Sequence, residues 1–286
     1  MIPLVVLLAS ACGPAPAADP TPVPATASPP SAASPTPVPD PSPTQTPACQ
    51  ETSGVSQVID YPGRLLPGPV AVWTYRPPCA AWSPTPLPVL ILLHGKPYDE
   101  THWPGLGLID AYEAGLAADR WGPALLVAPH APEPLFSSTD GGPNSYEQEF
   151  LEGLLPWLAA WAQEIGQPGP LVLAGISRGG VWALELGLRQ PERFALVAGI
   201  SPALSVNYAR PAYDPFDLAQ GVADLPGRIV LVAGEDDWAR PHTERLAGLL
   251  DGRQTDLRLE IVPGNHSEAT WSAALPLILA HLLTAG

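Results

Sequence analysis

The sequence predicts an α/β fold, a mostly parallel central sheet with helices on both faces, and three observations carry that expectation. From Val70 onward, apolar runs of strand length alternate with helical patterns in one continuous βα series. Leu171 to Ala174 read as a buried strand, and Val181, Trp182, Leu184, Leu186 and Leu188 give an apolar helix that stops before Pro191. Between them lies Gly175-Ile-Ser177-Arg-Gly179, which suits a strand that turns sharply into a helix.

In chain order, the first twelve residues, MIPLVVLLASAC, form an apolar run too short to span a bilayer. They fit a signal-peptide core that ends in small residues and a cysteine, Cys12. Residues 13–48 are almost wholly Pro, Ala, Thr, Ser and Val, with two acids and no aromatic residue. Such a tract cannot bury enough apolar surface to fold, and its prolines favour extended polyproline II. Fully extended, it would reach roughly 110 Å at ~3.1 Å per residue. The catalytic-domain candidate is therefore 49–286. Cys49 and Cys79 flank its N-terminal strands as an even pair, which in an exported chain suggests a disulfide.

PVLILLHGKP (88–97) reads as a strand ending in His-Gly. The loop after such a strand is one source of the backbone N–H groups that hold an oxyanion, and Lys96 is the expected donor because Pro97 has no N–H. His94 is read as a shaper of that loop. The elbow itself places Ser177 as nucleophile, with glycine on either side because a tight turn leaves no room for side chains there. The N–H of Arg178 supplies the second oxyanion donor.

RIVLVAGEDDW (228–238) is an apolar strand that ends in acids, where a carboxylate would orient an imidazole; Asp237 and Asp236 are the candidates. LRLEIVPGNHSEATW (257–271) gives a strand, a turn, His266 and then a helix from near Ser267. His266 is third in the order Ser, Asp, His. His281 lies in an apolar helix, His242 at a helix start, and His102 and His130 precede the elbow. Among the tryptophans, Trp157, Trp161 and Trp182 occupy apolar helical positions and read as core. Trp103 and Trp238 each follow an active-edge motif and are the candidates for lining a substrate pocket.

Five segments, LLHGKPYDETHW (92–103), YEQEFLEGLLPWL (146–158), GISRGGVWALELGLRQPERFALVAGISPAL (175–204), GEDDW (234–238) and GNH (264–266), carry a resemblance to a known family. Together they resemble the esterase branch of the α/β-hydrolase superfamily, which includes enterochelin esterases, feruloyl esterases, S-formylglutathione hydrolase and the mycolyltransferases. The resemblance implies carboxylic ester hydrolysis with no metal and no organic cofactor. It maps the triad onto Ser177, Asp237 and His266, because Gly234 to Asp237 and on to Pro241 follows the family's GxxD followed by proline. No long lid insertion is apparent. The N-terminus resembles the lipobox of bacterial lipoproteins, with Cys12 as the lipidated residue, although Ala9 stands where leucine is usual and no basic residue precedes the run.

Composition narrows the partners. A net charge of −15 repels phosphates, which argues against nucleic acid and anionic membrane surfaces as partners, and the resemblance implies a small-molecule or glycan ester as substrate. Membrane contact is expected through the lipid anchor alone, and no obligate protein partner is evident. Acyl transfer to a sugar or lipid hydroxyl and a non-catalytic surface module on the same fold are the alternative functions.

Overall fold

In the computed structural model, residues 49–138 and 140–284 are described. The signal-type segment, Cys12 and the proline-rich tract lie outside them. Eight strands form one sheet: β1 (Val55–Tyr61), β2 (Val70–Arg76), β3 (Leu87–Leu93), β4 (Leu125–Pro129), β5 (Pro168–Ile176), β6 (Leu196–Ile200), β7 (Arg228–Gly234) and β8 (Asp256–Val262). Their spatial order is β1-β2-β4-β3-β5-β6-β7-β8. β2 pairs antiparallel with both β1 and β4, and every pairing from β4 to β8 is parallel.

The helices are α1 (His102–Gly105), α2 (Leu108–Ala117), α3 (Tyr146–Glu149), α4 (Leu155–Ile165), α5 (Arg178–Arg189), α6 (Pro215–Gly221), α7 (Arg240–Leu250) and α8 (Glu268–Leu283). A π-helical turn, Phe150–Leu154, joins α3 to α4. Alternate strand residues point to opposite faces, so each central strand feeds two cores. Val89, Ile91, Leu173, Val197 and Leu231 meet α4 to α7 on one face. Leu90, Leu92, Val172, Ala198 and Val230 meet α2 and α8 on the other. Covered on both faces, these strands are continuous apolar runs rather than alternating ones. Trp182 is fully buried, whereas Trp157 and Trp161 are only partly buried against the first core.

Cys49 and Cys79 are joined by a disulfide, with Cα atoms 5.7 Å apart. The carboxylate of Glu51 sits beside it, accepting from the Cys79 N–H at 2.7 Å and pairing with Arg76 at 2.9 Å.

One buried acid follows from the packing of α5. Glu185 lies beside Glu147, whose carboxylate pairs with Arg189 at 2.7 Å. Burial, and then the charge of Glu147, push Glu185 from 4.5 up to about 9, so it is neutral in the folded chain at pH 7. Unfolded, it releases its proton near the ordinary value. Between those two pH values the unfolded state binds fewer protons, so stability falls as pH rises, by up to roughly 1.4 kcal/mol per pH unit. Glu185→Gln is therefore expected to melt above the parent at pH 8, with the gap shrinking toward pH 5. A gap independent of pH would show that Glu185 is charged when folded.

Candidate active site

The carboxyl ends of β3, β5, β7 and β8 deliver the predicted residues to one edge of the sheet, where ligands bind in open α/β folds. Ser177 sits between β5 and α5 at φ 53, ψ −112, a conformation rare outside glycine. Three contacts hold it there. Its N–H donates to Ile200 O at 2.9 Å, and its carbonyl accepts from Val181 N at 3.2 Å and Ala203 N at 3.1 Å. A Cβ on Gly175 would overlap the Gly179 carbonyl, and one on Gly179 would overlap the backbone of Leu93 and His94. Gly175→Ala is accordingly expected to lose roughly 3 kcal/mol or more. A melting point within about 2 °C of the parent would contradict this close packing.

His266 bridges serine and acid. Its Nε2 is 3.0 Å from Ser177 Oγ, and its Nδ1 is 2.8 Å from Asp237 Oδ1. The loops after β7 and β8 are bound to each other: Glu235 N donates to Val262 O at 2.8 Å and Asp236 N to Gly264 O at 2.9 Å. Gly234 permits this, since a Cβ there would strike the Gly264 carbonyl. Asp237 is buried, and Asp236 is exposed. Burial alone would push the Asp237 carboxyl up, but hydrogen bonds from His266, the Ser201 hydroxyl and the Ala239 N–H outweigh it and hold the group below its ordinary value. Of these, the Ala239 N–H reaches Oδ1 at 2.8 Å. Asp237 Oδ2 has no hydrogen-bond partner among the described residues.

The loop after β3 is set by two neutral histidines. His94 Nε2 accepts from Ala131 N at 2.9 Å, which leaves Nδ1–H to donate to Gly95 O at 2.8 Å. His102 Nδ1 accepts from Gly95 N at 3.1 Å. Burial lowers both imidazoles to about 4, so each stays uncharged at neutral pH. With the Gly95 N–H engaged, the N–H groups of Lys96 and Arg178 have no backbone or side-chain acceptor among the described residues.

The two candidate pocket tryptophans part company. Trp238 is 47% exposed, and its ring centroid lies 4.2 Å from that of His266. Trp103 is a correction: it is wholly buried, with its indole N–H donating to Leu93 O at 3.0 Å. The short turn of α1 swings it inward beneath β3, so it lines no pocket. Two residues that the sequence reading did not single out support the site from below. Trp271, on α8, packs edge-on to His266 with centroids 5.1 Å apart, and its N–H donates to Ser201 Oγ at 3.0 Å. Ser201 directly follows β6, and a serine ending an apolar strand was the available hint.

A cavity of about 260 Å³, lined by His94, Lys96, Tyr98, His130, Glu133 and Phe136, adjoins the loop after β3. A larger one, about 530 Å³, opens at the opposite end of the sheet among Pro88, Leu196, Gly227, Asp256 and Leu282. Neither lining includes Ser177, Asp237 or His266, but only the first lies at the carboxyl end of β3, beside the loop that carries Lys96.

The sequence profile of the family described as "Putative esterase" matches residues 66–282. The chain belongs to this esterase family. No curated protein matches the sequence. Among solved structures it is similar to a ferulic acid esterase, with 18% identity, TM-score 0.69, and 81% of this chain and 98% of that one covered. It is also similar to an S-formylglutathione hydrolase from Staphylococcus aureus, with 16% identity, TM-score 0.65 and coverage of 82% and 100%. The enterobactin esterase of Shigella flexneri is similar over 80% of this chain and 59% of its own, with 20% identity and TM-score 0.64. The fold is thus the α/β-hydrolase fold, with no large lid evident among the described residues, and the esterase is a carboxylic ester hydrolase.

Proposed function

We propose that this esterase works through a Ser177–His266–Asp237 triad and an acyl-enzyme intermediate. The observation that carries the reading is the pair of hydrogen bonds on His266, 3.0 Å to Ser177 Oγ and 2.8 Å to Asp237 Oδ1. His266 Nε2 takes the serine proton as Oγ bonds to the ester carbonyl carbon. The resulting oxyanion is held by the N–H groups of Lys96 and Arg178. His266 then returns the proton to the departing alcohol oxygen as the C–O bond breaks. Water, deprotonated by the same imidazole, releases the acid. Asp237, kept ionised, stabilises the imidazolium in both halves.

The substrate side of the site is aromatic. Trp238, Tyr98 and Tyr208 are exposed on the loops after β7, β3 and β6, a rim suited to the flat face of an aryl acyl group or a sugar. Initial rates on 4-nitrophenyl esters of rising chain length, feruloyl esters and acetylated sugars, with and without an added alcohol, test the assignment. Transfer to the alcohol outpacing hydrolysis would make the enzyme an acyltransferase.

We further propose that the protein is exported and anchored by lipid at Cys12, with residues 13–48 as a tether. The run of apolar and small residues ending in that cysteine supports this. One acyl chain binds membranes at only ~10⁴ M⁻¹, so firm retention needs several. Expressed at full length in a bacterium, the protein should enter the detergent phase, and Cys12→Ser should abolish that partition. An unmodified N-terminus downstream of Cys12 would mean ordinary secretion.

A further inference from the structure

The chain has 13 basic residues against 28 acids, so carboxylates outnumber the cations they could pair with. Eight of the twelve arginines form ion pairs, including Arg189 with Glu147 and Arg210 with Asp140; of the other four, Arg253 bonds backbone carbonyls, Arg245 lies over the Phe216 ring, and Arg178 alone adjoins Ser177. Arg178, the residue after Ser177, forms no ion pair among the described residues. Its two polar contacts are long, Nη1 to Asn207 Oδ1 and Nη2 to Val206 O, each 3.4 Å. A guanidinium carries five N–H donors, so most of this one's capacity is unused.

The side chain is partly buried, and burial pulls its pKa down, yet guanidinium stays charged at any working pH. The acids whose fields reach it offer no free counter-charge. Glu133 is held by Lys96 at 3.1 Å, and Glu185 is neutral, its pKa raised to about 9 by burial. Arg178 is also the first residue of α5, where the helix's own amides already present positive charge. A residue chosen for stability at that position would be acidic. A partly dehydrated cation beside the nucleophile is therefore unfavourable until an anion arrives.

We propose that the Arg178 guanidinium is the specificity determinant of this esterase and binds a carboxylate carried by the ester substrate. This rests on the reading of Ser177 as nucleophile. Arg meets a carboxylate through two parallel N–H···O bonds, a geometry that a neutral ester cannot return with equal strength. The protein's net charge of −15 opposes anions at a distance, so the selection is made in contact and not by steering.

The test compares matched anionic and neutral esters. One pair places the charge in the acyl part, 4-nitrophenyl hydrogen glutarate against 4-nitrophenyl methyl glutarate. The other places it in the alcohol part, 3-acetoxybenzoate against its methyl ester. The parent enzyme should prefer the anionic member of one pair by tenfold or more in kcat/KM, and the pair that responds locates the carboxylate. In Arg178→Met the anionic-to-neutral ratio should fall at least tenfold, and Arg178→Lys should retain part of it. Reading a ratio cancels any general loss from disturbing the Arg178 amide. Should Arg178→Met fail to fold, the parent is assayed for competitive inhibition by glutarate, which is expected well below the concentration at which neutral dimethyl glutarate inhibits. The proposal is overturned if the parent prefers the neutral member of both pairs, or if Arg178→Met keeps the parent ratio. Ser177→Ala retaining full turnover would instead overturn the reading of the site beneath it.

Discussion

Ser177→Ala should abolish ester hydrolysis and leave the fold intact. The hydroxyl touches His266 and little else, while the turn around it is held by the backbone bonds to Ile200, Val181 and Ala203. Losing the nucleophile of a triad removes the covalent route altogether, and such removals lower kcat by on the order of 10⁴ to 10⁶. The residual rate is what the oxyanion donors and binding alone provide. Steady-state rates on a 4-nitrophenyl ester, measured beside a thermal melt, separate chemistry from folding. A variant with more than a tenth of parental activity and an unchanged melt would place the nucleophile elsewhere.

The order of strand, elbow, acid and histidine was legible in the sequence because the parallel strands are buried on both faces. β3, β5 and β7 thus appear as unbroken apolar runs, and the residues just beyond them must lie on one edge. Ser177 and Asp237 each follow such a run, His266 follows the part-polar edge strand β8, and the structure brings all three within hydrogen-bond reach. What was not legible depends on direction or on distance along the chain. Trp103 and Trp238 occupy equivalent places in the sequence pattern. Only the turn of α1, fixed by packing on the underside of β3, sends one indole into the core. Ser201 and Trp271 meet across 70 residues, and no local period encodes such a pairing. The neutral state of His94 and His102 likewise arises from burial under a loop whose path a single sequence does not reveal.

Asp237→Asn should come close to the serine variant in effect, whereas Asp236→Asn should leave activity within about twofold of the parent. The two acids are adjacent, yet their surroundings differ in every respect that matters. Asp236 is exposed, and its N–H, not its carboxylate, makes the bond that joins the two loops. Asp237 is buried with Oδ1 facing both His266 Nδ1 and the Ala239 N–H. An asparagine in its place keeps the shape and loses the charge. If its carbonyl keeps the Ala239 bond, it can still accept from Nδ1–H, but the imidazolium that forms during attack has no anion beside it. If its amide turns to face the imidazole, Nδ1 becomes the acceptor and the proton moves to Nε2, which can then no longer take one from Ser177. Either outcome disables the base, and a tautomer error of this kind lowers kcat by roughly 10⁴. The pH profile adds a second reading. Because the Asp237 carboxyl is held below its ordinary value, it stays charged as pH falls through the usual carboxylate range, and the stability it contributes is lost only below its ordinary pKa of 3.8. Loss of activity on the acid side above that pH must then come from another group. Comparable losses from Asp236→Asn and Asp237→Asn, or the reverse ranking, would move the carboxylate of the triad by one residue.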